Sequence, residues 1–150
     1  MTTVKEVSLK IESVIENLDP AGLPDGEAER NQSLAEGYLK YTEGGEAILM
    51  YREESEGGAA DSEITVKDGA VTVKRMGAIE STLYFKEGET HNSVYSVPPY
   101  KFDASVYTKR VRLDLTADGG KIDLFYNMKI GGAEKNARMK IWISLSSNHS

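Results

Sequence analysis

Ser62-Glu63-Ile64-Thr65-Val66-Lys67, then Asp68-Gly69, then Ala70-Val71-Thr72-Val73-Lys74-Arg75 is the stretch that decides the fold. Two runs alternate apolar and polar with period two, and an Asp-Gly pair between them suits the left-handed residues of a type I′ hairpin. That turn opposes Val66 to Val71 and Ile64 to Val73. With Met76-Gly77-Ala78 as a three-residue loop, the next strand would set Arg75 opposite Ile79, Val73 opposite Ser81 and Val71 opposite Leu83. One face of this meander is then apolar except for Arg75. The other carries Thr65, Thr72 and Thr82 as neighbours and alternates Glu63, Lys74 and Glu80, both favourable cross-strand patterns. A one-residue slip would invert every side chain, so the alternation commits the register.

Outward from this meander the same period recurs. Val4 to Ile15 alternates as a first strand with Val7, Leu9, Ile11 and Ile15 on one side. The Pro- and Gly-rich segment that follows predicts a mobile loop over residues 17–31. Ser33 to Thr42 and Glu46 to Glu54 form a hairpin around Gly44-Gly45, with Leu49, Tyr51 and Glu53 on one face. A short strand, His91 to Val97, stops at Pro98-Pro99, which removes two backbone donors and marks an edge, bend or corner. Phe102 to Thr116 follows, with Tyr107, Val111, Leu113 and Leu115 as its apolar set and Thr108, Arg110, Arg112 and Asp114 between them. Gly119-Gly120 is the expected turn into Lys121 to Ile130, since a turn on Asp118-Gly119 would oppose Asp114 to Asp123. Asn136 to Leu145 is the last strand, and residues 146–150 are expected to fray. About ten strands in next-neighbour order, with no convincing helix, predict an all-β single antiparallel meander. Closure into a barrel removes the edges an open sheet would expose, and a two-sheet sandwich is the second choice.

The 150 residues suit one domain spanning 1–150, long enough to bury roughly two-thirds of its unfolded surface. Cysteine is absent, which removes disulfides and thiolate metal sites and favours the cytoplasm. Neither a signal peptide nor a membrane span is expected from the apolar runs. A net charge of −6 disfavours a nucleic-acid partner, which requires surplus Lys and Arg to displace counterions.

Catalytic signatures are missing from the sequence. The two histidines, His91 and His149, lie in a short strand and in the tail, so no metal site is expected. There is no nucleophile elbow and no glycine-rich phosphate loop, and no cofactor is expected. Parity instead collects an inward polar set: Arg75 with Glu53, Tyr51, Tyr126, Ser62 and Ser81. Two readings are open. A buried guanidinium could anchor a ligand carboxylate through two parallel hydrogen bonds. The weightier reading is an internal network in which Glu53 or tyrosine hydroxyls satisfy Arg75, because a buried charge needs a partner with or without a ligand. On the outward face, Trp142 and Phe125 mark either a homodimer patch or ground covered by the N-terminal strand or the early loop.

Val71-x-Val73-x-Arg75-x-Gly77 leading into Leu83 to Phe85, and Ile122-x-Leu124-x-Tyr126-x-Met128-x-Ile130, resemble the YwiB-like family of bacterial proteins of unknown function. The resemblance covers Gln32 to Ile143 in element order. It implies an 8–10-stranded calycin-like barrel, similar in architecture to lipocalins and fatty-acid-binding proteins. The expectation is therefore a cytoplasmic barrel, not an enzyme, that binds a small, partly apolar or anionic ligand inside. The alternative is a protein-interaction or structural module whose interior is filled by its own large side chains, Leu83, Phe85, Tyr107, Tyr126 and Met139 among them.

Overall fold

Asp68 and Gly69 have φ of 52° and 77°, the left-handed pair that a type I′ turn requires. The turn joins β4 (Gly58–Lys67) to β5 (Ala70–Gly77), and the ladder holds Val66 opposite Val71 and Ile64 opposite Val73 as the alternation demanded. The computed structural model describes residues 3–55 and 58–146. Around that hairpin run β1 (Thr3–Leu18), β2 (Glu29–Tyr41), β3 (Ala47–Ser55), β6 (Ser81–Phe85), β7 (Thr90–Val97), β8 (Tyr100–Thr116), β9 (Gly119–Ile130) and β10 (Ala133–Leu145).

All ten strands form one antiparallel sheet in the order β6-β5-β4-β3-β2-β1-β10-β9-β8-β7. Each strand lies beside its neighbours in sequence, and β1 pairs with β10 from Val7↔Leu145 to Leu18↔Glu134. The ends of the sheet meet where Glu80 and Ser96 form a single bridge. The result is a nearly closed barrel with no helix among the described residues, so the barrel expectation holds over the sandwich.

Five local expectations need correction. The early loop is shorter than 17–31, because β1 continues to Leu18 and β2 begins at Glu29. It is also tied: the Asp19 carboxylate accepts hydrogen bonds from the backbone N–H of Ala21 at 2.9 Å and Leu23 at 3.0 Å. Ser146 does not fray, since it is buried and its N–H donates to the Glu6 carbonyl at 3.0 Å. The rest of the expected frayed tail, 147–150, lies outside the described residues.

The β5–β6 register differs by two residues, with Arg75 opposite Ser81, Val73 opposite Leu83 and Val71 opposite Phe85. The cause is that β5 keeps pairing with β4 through Gly77↔Ala60, while Glu80 is held by Ser96 and cannot oppose Lys74. A shift of two preserves parity, so the faces survive and Arg75 still points inward. The β8–β9 turn is Ala117-Asp118, which opposes Asp114 to Lys121 and Arg112 to Asp123 and so avoids the carboxylate clash.

In β8 the register slips between Thr108 and Arg110, leaving Lys109 as an extra residue. A bulge of this kind inverts parity along the strand. Ala104, Val106 and Thr108 are therefore buried before it, whereas Tyr107, expected inside, is 43% exposed.

Inward residues from every side fill the core, including Val7, Leu9, Leu39, Leu49, Ile64, Val71, Val73, Phe85, Leu124 and Ile141. One end is packed solid: Leu39, Leu49, Ile64, Leu115, Ile122 and Ile143 leave no water-sized space. The other end is polar.

Candidate functional site

Arg75 reaches the polar end because the Asp68-Gly69 turn sets its parity. Its cross-strand neighbours are Ser62 on β4 and Ser81 on β6, small residues that leave the guanidinium room. On β3, Tyr51 lies opposite Ser62 and Glu53 opposite Ala60. From across the barrel β9 supplies Tyr126, whose ring packs on Phe85 with centroids 4.7 Å apart. The four inward residues expected from the sequence, Arg75, Glu53, Tyr51 and Tyr126, are thus brought together.

Two of the four, Arg75 and Tyr126, line a chamber of about 170 Å³ together with Tyr95, Lys135 and aliphatic walls that include Ile15, Leu83 and Met128; Tyr51 and Glu53 flank Arg75 outside that lining. Tyr95 and Lys135 escaped the sequence reading. Lys135 shares the inward parity of Met139 and Ala137 and becomes visible once β10 is extended back to Ala133. Tyr95 stands beside the Pro98-Pro99 turn, in a strand whose facing was not assigned.

The polar atoms here are under-used. The Tyr51 hydroxyl, Arg75 Nε, Ser81 Oγ and Thr108 Oγ1 are sealed from solvent and have no hydrogen-bond partner among the described residues. Each such atom costs about 1–3 kcal/mol when left unpaired; Arg75 and Ser81 are cross-strand neighbours at the polar end, with Tyr51 beside them across Ser62, whereas Thr108 lies apart against the β6–β7 turn. The internal network that was the weightier expectation is incomplete: the Ser62 hydroxyl donates to Glu53 Oε1 at 3.3 Å, and Arg75 Nε stays free.

Titration behaviour follows from burial. The Tyr51 hydroxyl is pushed far up, by desolvation first and the Glu53 carboxylate second, against the opposing pull of Arg75. Burial also raises Tyr126. Both remain protonated donors at neutral pH. Burial works against the Arg75 charge, but Glu53, followed by Tyr51, Tyr95 and Tyr126, outweighs it and leaves its pKa raised. The guanidinium is a permanent cation within a low-dielectric wall.

Other features are already committed. His91 contacts Glu89 Oε1 at 2.9 Å and meets the Tyr84 ring edge-on at 4.5 Å. No three His, Cys, Asp or Glu side chains cluster as metal ligands among the described residues. A groove of about 370 Å³ crosses the outer face of β2 to β5 between Tyr38, Met50 and Met76. Its Arg52 is engaged by Asp61 at 3.7 Å and Glu54 at 3.9 Å. On the opposite outer wall Trp142 lies between Lys10 and Lys121, 5.3 and 5.4 Å from its ring, and Lys109 lies 4.9 Å from the Phe125 ring. Lysines of the neighbouring strands β1, β8 and β9 lie over these two rings. Among the described residues no helix is long and apolar enough to cross a membrane.

Fold and chamber together define a class: an antiparallel ten-stranded barrel, packed at one end and holding a small cationic chamber at the other. The chain belongs to the family described as a domain of unknown function, DUF1934, whose model matches residues 22–143. It is 26% identical over 130 residues to the "Uncharacterized beta-barrel protein YwiB" of Bacillus subtilis (strain 168), covering 87% of this chain and 86% of that one. The crystal structure of the ywiB protein from Bacillus subtilis superposes with a TM-score of 0.83 at 24% identity, over 96% of this chain and 94% of that chain. That likeness is one of fold.

Proposed function

We propose that this protein is a cytoplasmic binding protein, not an enzyme, that holds a small carboxylate against Arg75, using the barrel in the calycin-like manner. The observation that carries the reading is the inward guanidinium whose sealed Nε has no hydrogen-bond partner among the described residues. A carboxylate matches a guanidinium fork in geometry and charge. Local charge agrees, since Arg75 and Lys135 outnumber Glu53 by one. The chamber of about 170 Å³ equals roughly five or six waters of liquid volume and lies below the roughly 300 Å³ at which drug-sized pockets begin. The ligand is therefore short, and the solid far end leaves no path for a long acyl chain. The net charge of −6 keeps nucleic acid out of the reading.

The second reading, an interaction module with a filled interior, draws on the packed end lined by Leu49 and Ile122. It predicts no carboxylate response.

Titration of the isotope-labelled protein with butanoate discriminates the two. Saturable amide shifts are expected around Arg75, Tyr126 and Lys135. Arg75→Met is expected to weaken binding by on the order of 1.5–3 kcal/mol, and Arg75→Lys, which keeps the charge but loses the planar fork, to fall between. A folded wild type that gives no saturable shift with butanoate or benzoate would remove the ligand reading.

A further inference from the structure

We propose that the site continues outward through the β6–β7 seam and that its ligand carries a second anionic group, held outside by Lys74 and Lys101. This rests on the reading of Arg75 as a carboxylate anchor. The seam is the weakest join in the wall. Other neighbouring strands are zipped by extended ladders, of which β5–β6 is among the shortest with Arg75↔Ser81 through Val71↔Phe85. Between β6 and β7 there is one bridge, Glu80↔Ser96, helped by the Ser93 hydroxyl donating to the Thr82 carbonyl.

Over this join lies a cleft of about 630 Å³ lined by Lys74, Arg75, Ser81, Thr82, Ser96 and Lys101, with Glu80 its only carboxylate. Arg75 lines both this cleft and the inner chamber, so the two are halves of one site with the guanidinium between them. Ser81, 6% exposed, presents an Oγ without a partner at the same place.

The outer half is cationic and uncommitted. Lys74 shares its outward face with its cross-strand neighbour Thr82, and Lys101 lies opposite Ser96 across the β7–β8 ladder. Among the described residues neither ammonium is joined to a carboxylate within ion-pair distance. The lining carries three cations against one carboxylate, and with Glu63 opposite Lys74 across the β4–β5 ladder the balance is still positive by one, on a chain of net charge −6, a local field that draws an anion to this face. A ligand with one carboxylate on Arg75 and Ser81 and a second anionic group between the two lysines engages the donors that line the cleft. The ligand class is a short dianion, such as a dicarboxylate.

Calorimetric titration of the folded protein with pentanoate and with pentanedioate, equal in chain length, tests this. The dianion is expected to bind about five- to tenfold tighter, the worth of two solvent-facing charge contacts. Lys74→Gln combined with Lys101→Gln is expected to bring the two acids to within about twofold of each other, with the dianion losing far more affinity than pentanoate, which loses only the weak pull of the local field. Lys40→Gln combined with Lys67→Gln, at the packed end, is expected to preserve the preference for the dianion. Equal affinity of the two acids in wild type, or a preference that survives loss of Lys74 and Lys101, would overturn the outer half and leave the Arg75 site standing. If the folded wild type binds neither acid, the Arg75 reading falls and takes this one with it.

Discussion

Glu80 and Ser96 exchange two backbone hydrogen bonds of 2.8 Å each, and this pair is the one bridge that joins the two ends of the sheet among the described residues. A barrel gains its stability from ladders, and local opening begins where the ladder is thinnest. The amides of Glu80 and Ser96 are therefore expected to exchange with solvent at least about a hundredfold faster than those of Val71 and Ile122, a gap of about 2.7 kcal/mol in opening free energy. Native-state hydrogen exchange reads this directly. Equal protection at the seam and in the core would mean the join is as strong as any other.

Gly77 stands at the end of β5 with φ of 126°, and a Cβ there would lie 2.5 Å from the Ala59 carbonyl oxygen. That oxygen also accepts the Ala78 N–H at 3.0 Å, so it cannot swing away without losing a bond. Gly77→Val meets both left-handed strain and backbone overlap and is expected to cost on the order of 3 kcal/mol. For a domain of this size that is a melting temperature lower by roughly 6–12 °C by calorimetry. An unchanged melting temperature would contradict the geometry.

What the sequence made legible was parity, and what it hid was counting. The Asp68-Gly69 turn with clean alternation placed Arg75 inside, and the two-residue error in the β5–β6 register did no harm because it preserved the face. The Lys109 bulge did harm. Lys109-Arg110-Val111-Arg112 alternates well enough to pass as unbroken strand, and nothing in it marks an inserted residue, so Tyr107 and Thr108 exchanged places. Thr108 is wholly buried with an unpartnered hydroxyl, a position that apolar patterning would never assign to the core. Lys135 was hidden differently: a cation on an inward row reads as the end of the strand, whereas here it turns into the chamber.

Trp142 tests the outer wall. Its ring lies between the ammoniums of Lys10 and Lys121, contacts that hold it within its own barrel. Trp142→Glu places a carboxylate between those two cations, so the variant is expected to fold with a loss of about 1 kcal/mol or less, the new ion pairs offsetting part of the lost ring burial. Sedimentation velocity is expected to give a monomer for both proteins. A wild-type dimer that dissociates in Trp142→Glu would instead make this strip a homodimer contact.

Asp123 and Arg138 set a pH dependence on that same wall. Arg138 donates from Nε to Asp123 Oδ1 at 3.2 Å and from Nη2 to Oδ2 at 3.0 Å, a two-point pair between side chains that are 7% and 44% exposed for Asp and Arg respectively. Those hydrogen bonds first, with the Arg138, Lys140 and Lys121 charges after burial has opposed them, hold the Asp123 carboxyl below its ordinary range. Because the folded pKa lies below the unfolded value of about 3.9, the unfolded chain takes up the proton first as acid is added. The contribution is therefore fully present above the unfolded pKa and is lost as pH falls through the folded one. Asp123→Asn is expected to lower stability by about 1 kcal/mol at pH 7, a modest figure because Arg138 is half-exposed and solvent-screened. At a pH low enough to protonate the folded carboxyl as well, below the unfolded value, the gap should shrink toward zero, since wild type has then lost the charge too. Urea denaturation at both pH values measures it. A gap of equal size at the two would assign the effect to packing of the amide and remove the ion pair from the account.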